Sequence, residues 1–359
     1  MNKKIFNLDN IFLATLGTFF ILLSIGFFKN SFTAISIIIV FIFIGSKLIQ
    51  GINIKIPNNF LVYNLFNLTL LLHFTYFGGD IIYFWMFFIG GLFWISMYNV
   101  SEIAKKYFPS FLISLGFLTL STFTYYYFKG IHFISPDNLF LPQNEMIKHN
   151  HIGDLWALIL VILSYKIIAK PKVWQILLSI VALVIITFSL SRSALVSFIV
   201  GLIYIFYNLP KKNNVFKLTT KHHWIIFIIS LPILVYFGSV KSILFARPYY
   251  MEAILSLISN PLGLGMGEFA KASTETNVVH NLVLEVVSGI GVFSIVFIYW
   301  LYKMAKDIFT KKDNNILYAA IAVAMFTNFS FDSSYVIPVF FWLWFITFAF
   351  CHKNDQQNL

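Results

Sequence analysis

The chain of 359 residues is 59% hydrophobic and only 11% charged, and its mean hydropathy is +0.83. This composition excludes an ordinary water-soluble domain and indicates that the solvent is lipid. The net charge of +11 does not indicate a nucleic-acid partner, because the lysines lie in short loops between apolar runs. Cys351 is the only cysteine, so no intramolecular disulfide is possible.

The apolar runs are about 17 to 22 residues long, as membrane-crossing helices require. A helix satisfies its own backbone hydrogen bonds within lipid, so these runs predict helices and not barrel strands. Lys3 and Lys4 precede the first run, and no small-residue cleavage site follows it, so we expect a retained anchor and not a signal peptide. The predicted fold class is all-α, a polytopic integral membrane bundle of about twelve spans with two longer periplasmic loops: 11–28, 31–50, 60–77, 80–100, 108–128, 151–169, 173–190, 193–209, 224–240, 281–302, 315–331 and 336–352.

The distribution of lysines predicts the orientation of this bundle. With the N-terminus inside, most basic residues fall in inner loops, as the positive-inside rule expects, and both termini are cytoplasmic. The outer side then keeps seven basic residues, namely Lys29, Lys129, Lys148, Arg192, Lys241, Arg247 and Lys271. The two loops long enough to form a site, Lys129–Asn150 and Lys241–Val279, are both outer loops, and a long loop in a compact bundle usually has a function.

These features divide the chain into three parts. Residues 1–150 hold the first five spans and the first periplasmic loop. Residues 151–310 form a core that includes the periplasmic loop 241–280. Residues 311–359 form a C-terminal membrane hairpin and a cytoplasmic tail.

The only two arginines, Arg192 and Arg247, both fall on the outer side, where the positive-inside rule predicts the fewest basic residues. A guanidinium group binds phosphate oxygens through two parallel hydrogen bonds, which an ammonium group cannot do. Two such groups near the outer leaflet suit a diphosphate head group. The alternative is that each arginine is an interfacial residue or part of a structural ion pair.

The loop that starts at Arg247 has a pattern of its own. Pro248 suits a first helical turn, and the apolar residues from Met251 to Ile258 recur at helical spacing, which predicts a helix lying in the interface plane. Asn260-Pro261 ends it. The glycines at 263, 265 and 267 do not follow a buried strand, so we interpret them as a tight turn that returns the helix over the bundle and not as a dinucleotide loop.

His280 and Asn281 stand at the start of the next span, and an imidazole can move protons near neutral pH. A histidine in this position is also common as a capping or interfacial residue. Glu285 lies deeper in the same span, where a carboxylate is costly and is therefore functional or paired.

Two further polar segments lie near the outer face. In Lys148–Asp154, Asn150 and Asp154 could cap the sixth span, or His149, His151 and Asp154 could hold a metal, although no further ligand is fixed by the sequence. Asp332, in an outer hairpin, is a candidate partner for an arginine or a capping residue.

Taken in order, these segments resemble the O-antigen ligase and polymerase superfamily of bacterial membrane glycosyltransferases. The resemblance rests on Phe188–Ala194, on Arg247 with the following Asn260–Phe269 segment, and on His280-Asn281 with Gly289 and Gly291; Asn150–Asp154 is similar to a less specific motif of the family. It covers residues 150 to 300, and the earlier spans match only in hydropathy.

The resemblance implies an enzyme of lipopolysaccharide biosynthesis in the bacterial inner membrane, with a periplasmic active site and neither metal nor cofactor. The donor would be an undecaprenyl-diphosphate-linked glycan, and the acceptor either lipid A-core, for a ligase, or another lipid-linked glycan, for a polymerase. Arg192 and Arg247 would bind the diphosphate, and His280 would activate or orient the acceptor hydroxyl. Asn281, Asn150, Asp154, Glu285 and Asp332 are the expected substrate-binding residues.

Two other classes remain open from sequence. A flippase or transporter for the lipid-linked sugar would need charged residues along a mid-membrane path, for which only Glu285 and His73 are candidates. A structural membrane scaffold is the other.

Overall fold

The computed structural model describes residues 3–24, 32–101, 105–128, 149–189, 191–209, 248–269, 281–310, 315–332, 335 and 337–351. Every regular element in these ranges is a helix. In chain order the helices are α1 (Lys3–Ser24), α2 (Phe32–Ile49), α3 (Phe60–Phe77), α4 (Ile81–Tyr98), α5 (Phe108–Phe128), α6 (His149–Ala169), α7 (Val173–Phe188), α8 (Arg192–Asn208), α9 (Pro248–Ser259), α10 (Leu282–Ile290), α11 (Ile295–Thr310), α12 (Ile316–Phe331) and α13 (Pro338–Cys351), with a 3₁₀ turn over Gly291–Ser294.

The helices follow the apolar runs of the sequence. Four are long and apolar enough to cross a membrane: Phe60–Phe77, Ile81–Tyr98, Asn150–Ala169, and Leu282–Phe309, which combines α10, the 3₁₀ turn and α11. The predicted span 224–240 lies outside the described residues. The first helix begins at Lys3, eight residues before the predicted start, because α1 continues through its polar N-terminal segment, where Asp9 is buried.

An aromatic core holds the bundle together. Helix α13 is buried along its whole length and packs between α4 and α12. Gly90 and Gly91 allow α4 to approach α13 and α3 closely. A Cβ atom on Gly90 would lie 2.6 Å from the Phe345 ring of α13, and one on Gly91 would lie 2.5 Å from the Tyr63 ring of α3. One connected core includes residues from all three predicted parts of the chain. Helix α7, by contrast, packs on α6 and leaves a broad apolar face exposed, as expected for a helix in lipid.

One end of the bundle carries buried lysines, and we call it the lysine end. Lys47 forms a buried ion pair of 2.8 Å with Asp9 and donates a hydrogen bond to the Asn99 carbonyl. Lys105 is buried over the Phe350 ring, and its own carbonyl accepts from Tyr318. Pairing with a carboxylate, a carbonyl or an aromatic face offsets part of the cost of burying these cations.

Candidate functional site

Two carboxylates and two serines meet at the opposite end of the bundle. The Asp154 Oδ1 atom lies 3.0 Å from the Ser191 hydroxyl and 3.2 Å from the Ser193 hydroxyl, and the Asp332 Oδ2 atom lies 3.2 Å from the Ser193 hydroxyl. All four side chains are buried. Because Ser193 has a single hydroxyl proton, it can donate to only one of the two carboxylates at a time. We call this end, defined by these four residues, the motif end.

Local structure brings the four residues together. Ser191 caps α8, its hydroxyl accepting from the Ala194 amide at 3.3 Å, and Asp154 lies in the second turn of α6. A Cβ atom on Gly153 would lie 2.2 Å from the Ser189 hydroxyl, so glycine permits α6 to approach the turn between α7 and α8. Asp332 directly follows α12, which packs closely on α8.

Arg192 lies between Ser191 and Ser193 at the first position of α8, and its side chain is exposed. The neighbouring serines are thus anchored to buried carboxylates while the guanidinium group stands at the surface of the motif end. An exposed guanidinium beside fixed backbone is well placed to bind an anion.

Asn281 ties the start of α10 to the same end. Its side-chain oxygen accepts from the Leu284 amide at 3.0 Å, so it caps the helix, and its amide group donates to the Ser330 carbonyl at 3.0 Å. Ser330 precedes Asp332 by two residues. Asn281 and Ser193 are therefore both attached to the C-terminal end of α12.

Helix α9 and the glycine turn after it form a re-entrant segment, which we define as Pro248–Phe269. The predicted turn packs into the bundle and not over it. It lies against the break between α10 and α11, where the Leu264 and Gly265 amides donate to the Ser288 and Gly289 carbonyls at 2.9 and 2.8 Å. Backbone groups released by a broken helix within a membrane must find partners inside the protein, and this turn supplies them.

Glycine is required where the two backbones cross. A Cβ atom on Gly291 would lie 2.1 Å from the Pro261 carbonyl oxygen, and one on Gly263 would lie 2.4 Å from the Gly289 oxygen. Both residues also have positive φ angles, +58° for Gly291 and +91° for Gly263. No other residue type fits either position without displacing the turn.

Three polar residues hold the re-entrant segment. His73 Nε2 lies 2.7 Å from the Leu262 carbonyl oxygen, and the Asp80 amide donates to the Met266 carbonyl at 2.7 Å. Glu285 is buried and accepts from the Gly267 amide at 2.9 Å, with the Tyr335 hydroxyl 3.4 Å from its second oxygen. His73 and Glu285, the two candidates for a mid-membrane path, are thus engaged in holding this turn.

The structure brings some predicted site residues together and leaves others undescribed. Asp154, Asp332 and Arg192 lie at the motif end, Asn281 is tied to it through Ser330, and Glu285 lies one turn deeper in α10. Arg247 and His280 lie outside the described residues, as does the His149 side chain. Arg247 precedes the first residue of α9, and His280 precedes Asn281, the cap of α10.

Several predictions for individual side chains are corrected by the structure. Asp154 does not cap α6; the helix begins five residues earlier, at His149, and the carboxylate accepts from serine hydroxyls. His151 is buried with its ring 6.2 Å from that of Phe340. Asn150 lies half-buried in the first turn of α6. Within the described residues no group of three or more His, Cys, Asp or Glu side chains could hold a metal ion.

Sequence reasoning missed the serines and the anchors of the re-entrant segment. Ser191 and Ser193 belong to the segment Phe188–Ala194 but were not predicted as site residues, although a serine at both sides of an arginine before an apolar run is a helix N-terminus signal. Gly79, which admits Met266 beside Asp80, was also missed.

The chain matches no family model, no curated protein and no solved structure. The class of protein is therefore defined by its own composition and architecture. The described ranges contain several apolar helices, four of them long enough to cross a bilayer, which indicates a helical membrane protein.

Proposed function

We propose that this protein is a membrane glycosyltransferase that moves a glycan from undecaprenyl diphosphate to a sugar hydroxyl at the outer face of the bacterial inner membrane. In this proposal the chain crosses the membrane twelve times, both termini are cytoplasmic, and the motif end faces the periplasm. The acceptor is lipid A-core, as for an O-antigen ligase. The alternative acceptor is a second lipid-linked repeat, as for a polymerase.

The observation that carries the proposal is the meeting of separate motif segments at one end of the bundle. Ser193 contacts Asp154 and Asp332 although these residues are 39 and 139 positions away in sequence. Asn281 reaches the same end of α12 through the Ser330 carbonyl. His280 directly precedes Asn281 in the chain, so the proposal assigns its imidazole to the same end.

Contacts between the re-entrant segment and α10 support a role for Arg247. Helix α9 packs on α10, and Ala253 shares a small buried cluster with Phe269, beside which Leu284 packs. Arg247 directly precedes α9 in the chain, so the proposal assigns it to the same site as Arg192.

In the reaction we propose, the acceptor hydroxyl oxygen attacks the anomeric carbon as the bond from that carbon to the diphosphate oxygen breaks. His280 accepts the hydroxyl proton and later releases it to water. Arg192 and Arg247 bind the diphosphate and stabilise the negative charge that the leaving group gains. The buried carboxylates Asp154 and Asp332 act indirectly, by fixing the serines on either side of Arg192.

A transporter for the same lipid-linked sugar is less well supported. Such a protein needs polar side chains that line a path through the membrane. Both candidates for that path, His73 and Glu285, contact backbone groups of the re-entrant segment. Their contacts favour a fixed outer site over a central pathway.

The test is a transfer assay with purified protein and an undecaprenyl-diphosphate-linked glycan, offered lipid A-core or a second lipid-linked repeat. Arg192→Ala, Arg247→Ala and His280→Ala should each lower transfer at least about a hundredfold, the loss typical of removing one group that stabilises a transition state. Arg192→Lys should restore little, because lysine keeps the charge and loses the paired hydrogen bonds.

Lys172→Ala is the matched control, since Lys172 is an exposed cation at the other end of the bundle. It should leave transfer unchanged. Full activity in all three motif variants would overturn the proposal. Translocation of the lipid-linked sugar without any transfer would identify a flippase instead.

A further inference from the structure

A cavity of about 420 Å³ lies near the lysine end, away from the motif end. Its walls come from four helices, α1, α4, α5 and α13, and nearly all of its lining is apolar. This volume is within the range of small-molecule sites. The cavity contains none of the residues proposed for glycan transfer.

The cavity is polar toward the lysine end and apolar along the rest of α1. Asn10 and Tyr107 are the polar residues of the lining, and Tyr107 is 60% exposed. The apolar part is an open groove lined by residues such as Ala14, Gly17 and Phe20, of which Ala14 is exposed. A groove with one polar end matches a molecule with a polar head and a hydrocarbon tail.

The depth of the cavity matches one leaflet of a bilayer. Asn10 and Phe20 are ten residues apart on α1, which is about 15 Å along the helix axis. The hydrocarbon core of a bilayer is about 30 Å thick, so this length is close to half of it. A chain that enters at Asn10 would therefore end near the middle of the membrane.

The charge at the polar end of the groove favours an anionic head group. Lys106 is exposed next to Tyr107 in the chain. Among the described residues, the carboxylate beside Asn10 is Asp9, which is buried and paired with Lys47 at 2.8 Å. Basic sites between helices on the cytoplasmic side of membrane proteins bind anionic lipid head groups.

We propose that this cavity holds one acyl chain of an anionic phospholipid of the inner leaflet, whose phosphate lies beside Lys106. The lipid fills a gap between α1 and the other described helices that line the cavity. Its role is independent of glycan transfer, because the site is at the other end of the helices.

The test is native mass spectrometry of the purified full chain after equilibration with phosphatidylglycerol and phosphatidylethanolamine of identical acyl chains. The wild-type protein should retain phosphatidylglycerol preferentially. Ala14→Phe, which fills the groove, should remove most of the bound lipid. Thr18→Phe is the matched control, since Thr18 is exposed on the same helix and does not line the cavity.

The head-group part of the proposal has its own variant. Lys106→Gln should lower the preference for phosphatidylglycerol over phosphatidylethanolamine about fivefold, the ratio that corresponds to about 1 kcal/mol per basic residue near a charged surface. An unchanged preference would overturn the assignment of the phosphate to Lys106.

Gly17→Leu is a second filling variant in case Ala14→Phe does not fold. A Cβ atom at Gly17 would lie 3.5 Å from the Phe111 ring, an ordinary contact distance. Equal lipid retention in the filled variants and in Thr18→Phe would overturn the proposal. Retention of undecaprenyl phosphate in preference to phosphatidylglycerol would overturn it as well.

Discussion

The two ends of the bundle bury carboxylates in different ways. At the lysine end, Asp9 faces an ammonium group, and the pair is closed off from solvent. At the motif end, Asp154 and Asp332 share serine hydroxyls, and the arginine between those serines remains exposed. The ion pair at the lysine end joins helices. The serine contacts at the motif end fix the start of α8, and Arg192 stays exposed there.

Backbone geometry separates the surroundings of α10 from the lysine end as well. The re-entrant segment crosses the break after α10 at Gly263 and Gly291, both at positive φ angles. The described part of the lysine end relies on side-chain contacts, such as the stacking of Lys105 on Phe350. A site built on crossing backbones is held rigidly, which suits the binding of a defined ligand geometry.

The largest effect should come from the backbone crossing. Gly291→Ala should destabilise the protein by about 2 to 6 kcal/mol, the sum of about 1 to 3 for a strained backbone and about 1 to 3 for overpacking. Resistance to unfolding by detergent, measured on the purified protein, gives the change. The control is Gly45→Ala, where an added Cβ meets nothing within 4 Å; a comparable loss there would show that glycine replacement, and not the crossing, is responsible.

The buried ion pair at the lysine end should come next. Lys47→Met leaves Asp9 charged and without its ammonium partner, which should cost about 3 to 5 kcal/mol of unfolding free energy. The double variant with Asp9→Asn should recover most of that loss. Glycan transfer per folded molecule should stay at the wild-type level, and a drop in it would connect the two ends functionally.

The smallest effect on stability, and the sharpest comparison, concerns two helix caps. Asn281 and Asn315 both accept from a backbone amide of the helix that follows, at the motif end and at the lysine end respectively. Replacement by Ala should cost about 1 kcal/mol in each case. Only Asn281→Ala should also lower transfer, by up to about a hundredfold. This change removes the hydrogen bond that ties the position beside His280 to α12.

Asn281→Ser refines this comparison. Serine keeps an acceptor for the cap and loses the amide that donates to the Ser330 carbonyl. If Asn281→Ser is stable but poorly active, the link to α12 is what matters. If Asn315→Ala impairs transfer as much as Asn281→Ala does, the assignment of the site to the motif end fails.

Much of the helical architecture could be predicted from the sequence because apolar run length and lysine position are local signals. The helices over Phe60–Phe77 and Phe108–Phe128 begin and end where the apolar runs do. The start of α1 could not be predicted in this way. The polar segment before its apolar run is also helical, and Asp9 within it pairs with Lys47, 38 residues away in the chain.

The site was only partly predictable for the same reason. Asp154, Asp332 and Arg192 stand out by residue type and position, but the hydroxyls that connect the carboxylates are ordinary serines. The packing of the glycine turn against α10 depends on backbone contacts between positions such as Leu264 and Ser288. A pairing across the fold leaves no periodic signal in one sequence.

The most direct test of the central claim is cross-linking of cysteines placed in pairs at positions 192, 247 and 280 with a short bismaleimide, in the intact chain in membranes. Lys106→Cys, at the lysine end, serves as the reference partner for each position. We predict efficient cross-links within all three pairs and none to position 106. Failure of position 247 or 280 to cross-link with position 192, in a cysteine variant that is inserted at the wild-type level, would contradict the account.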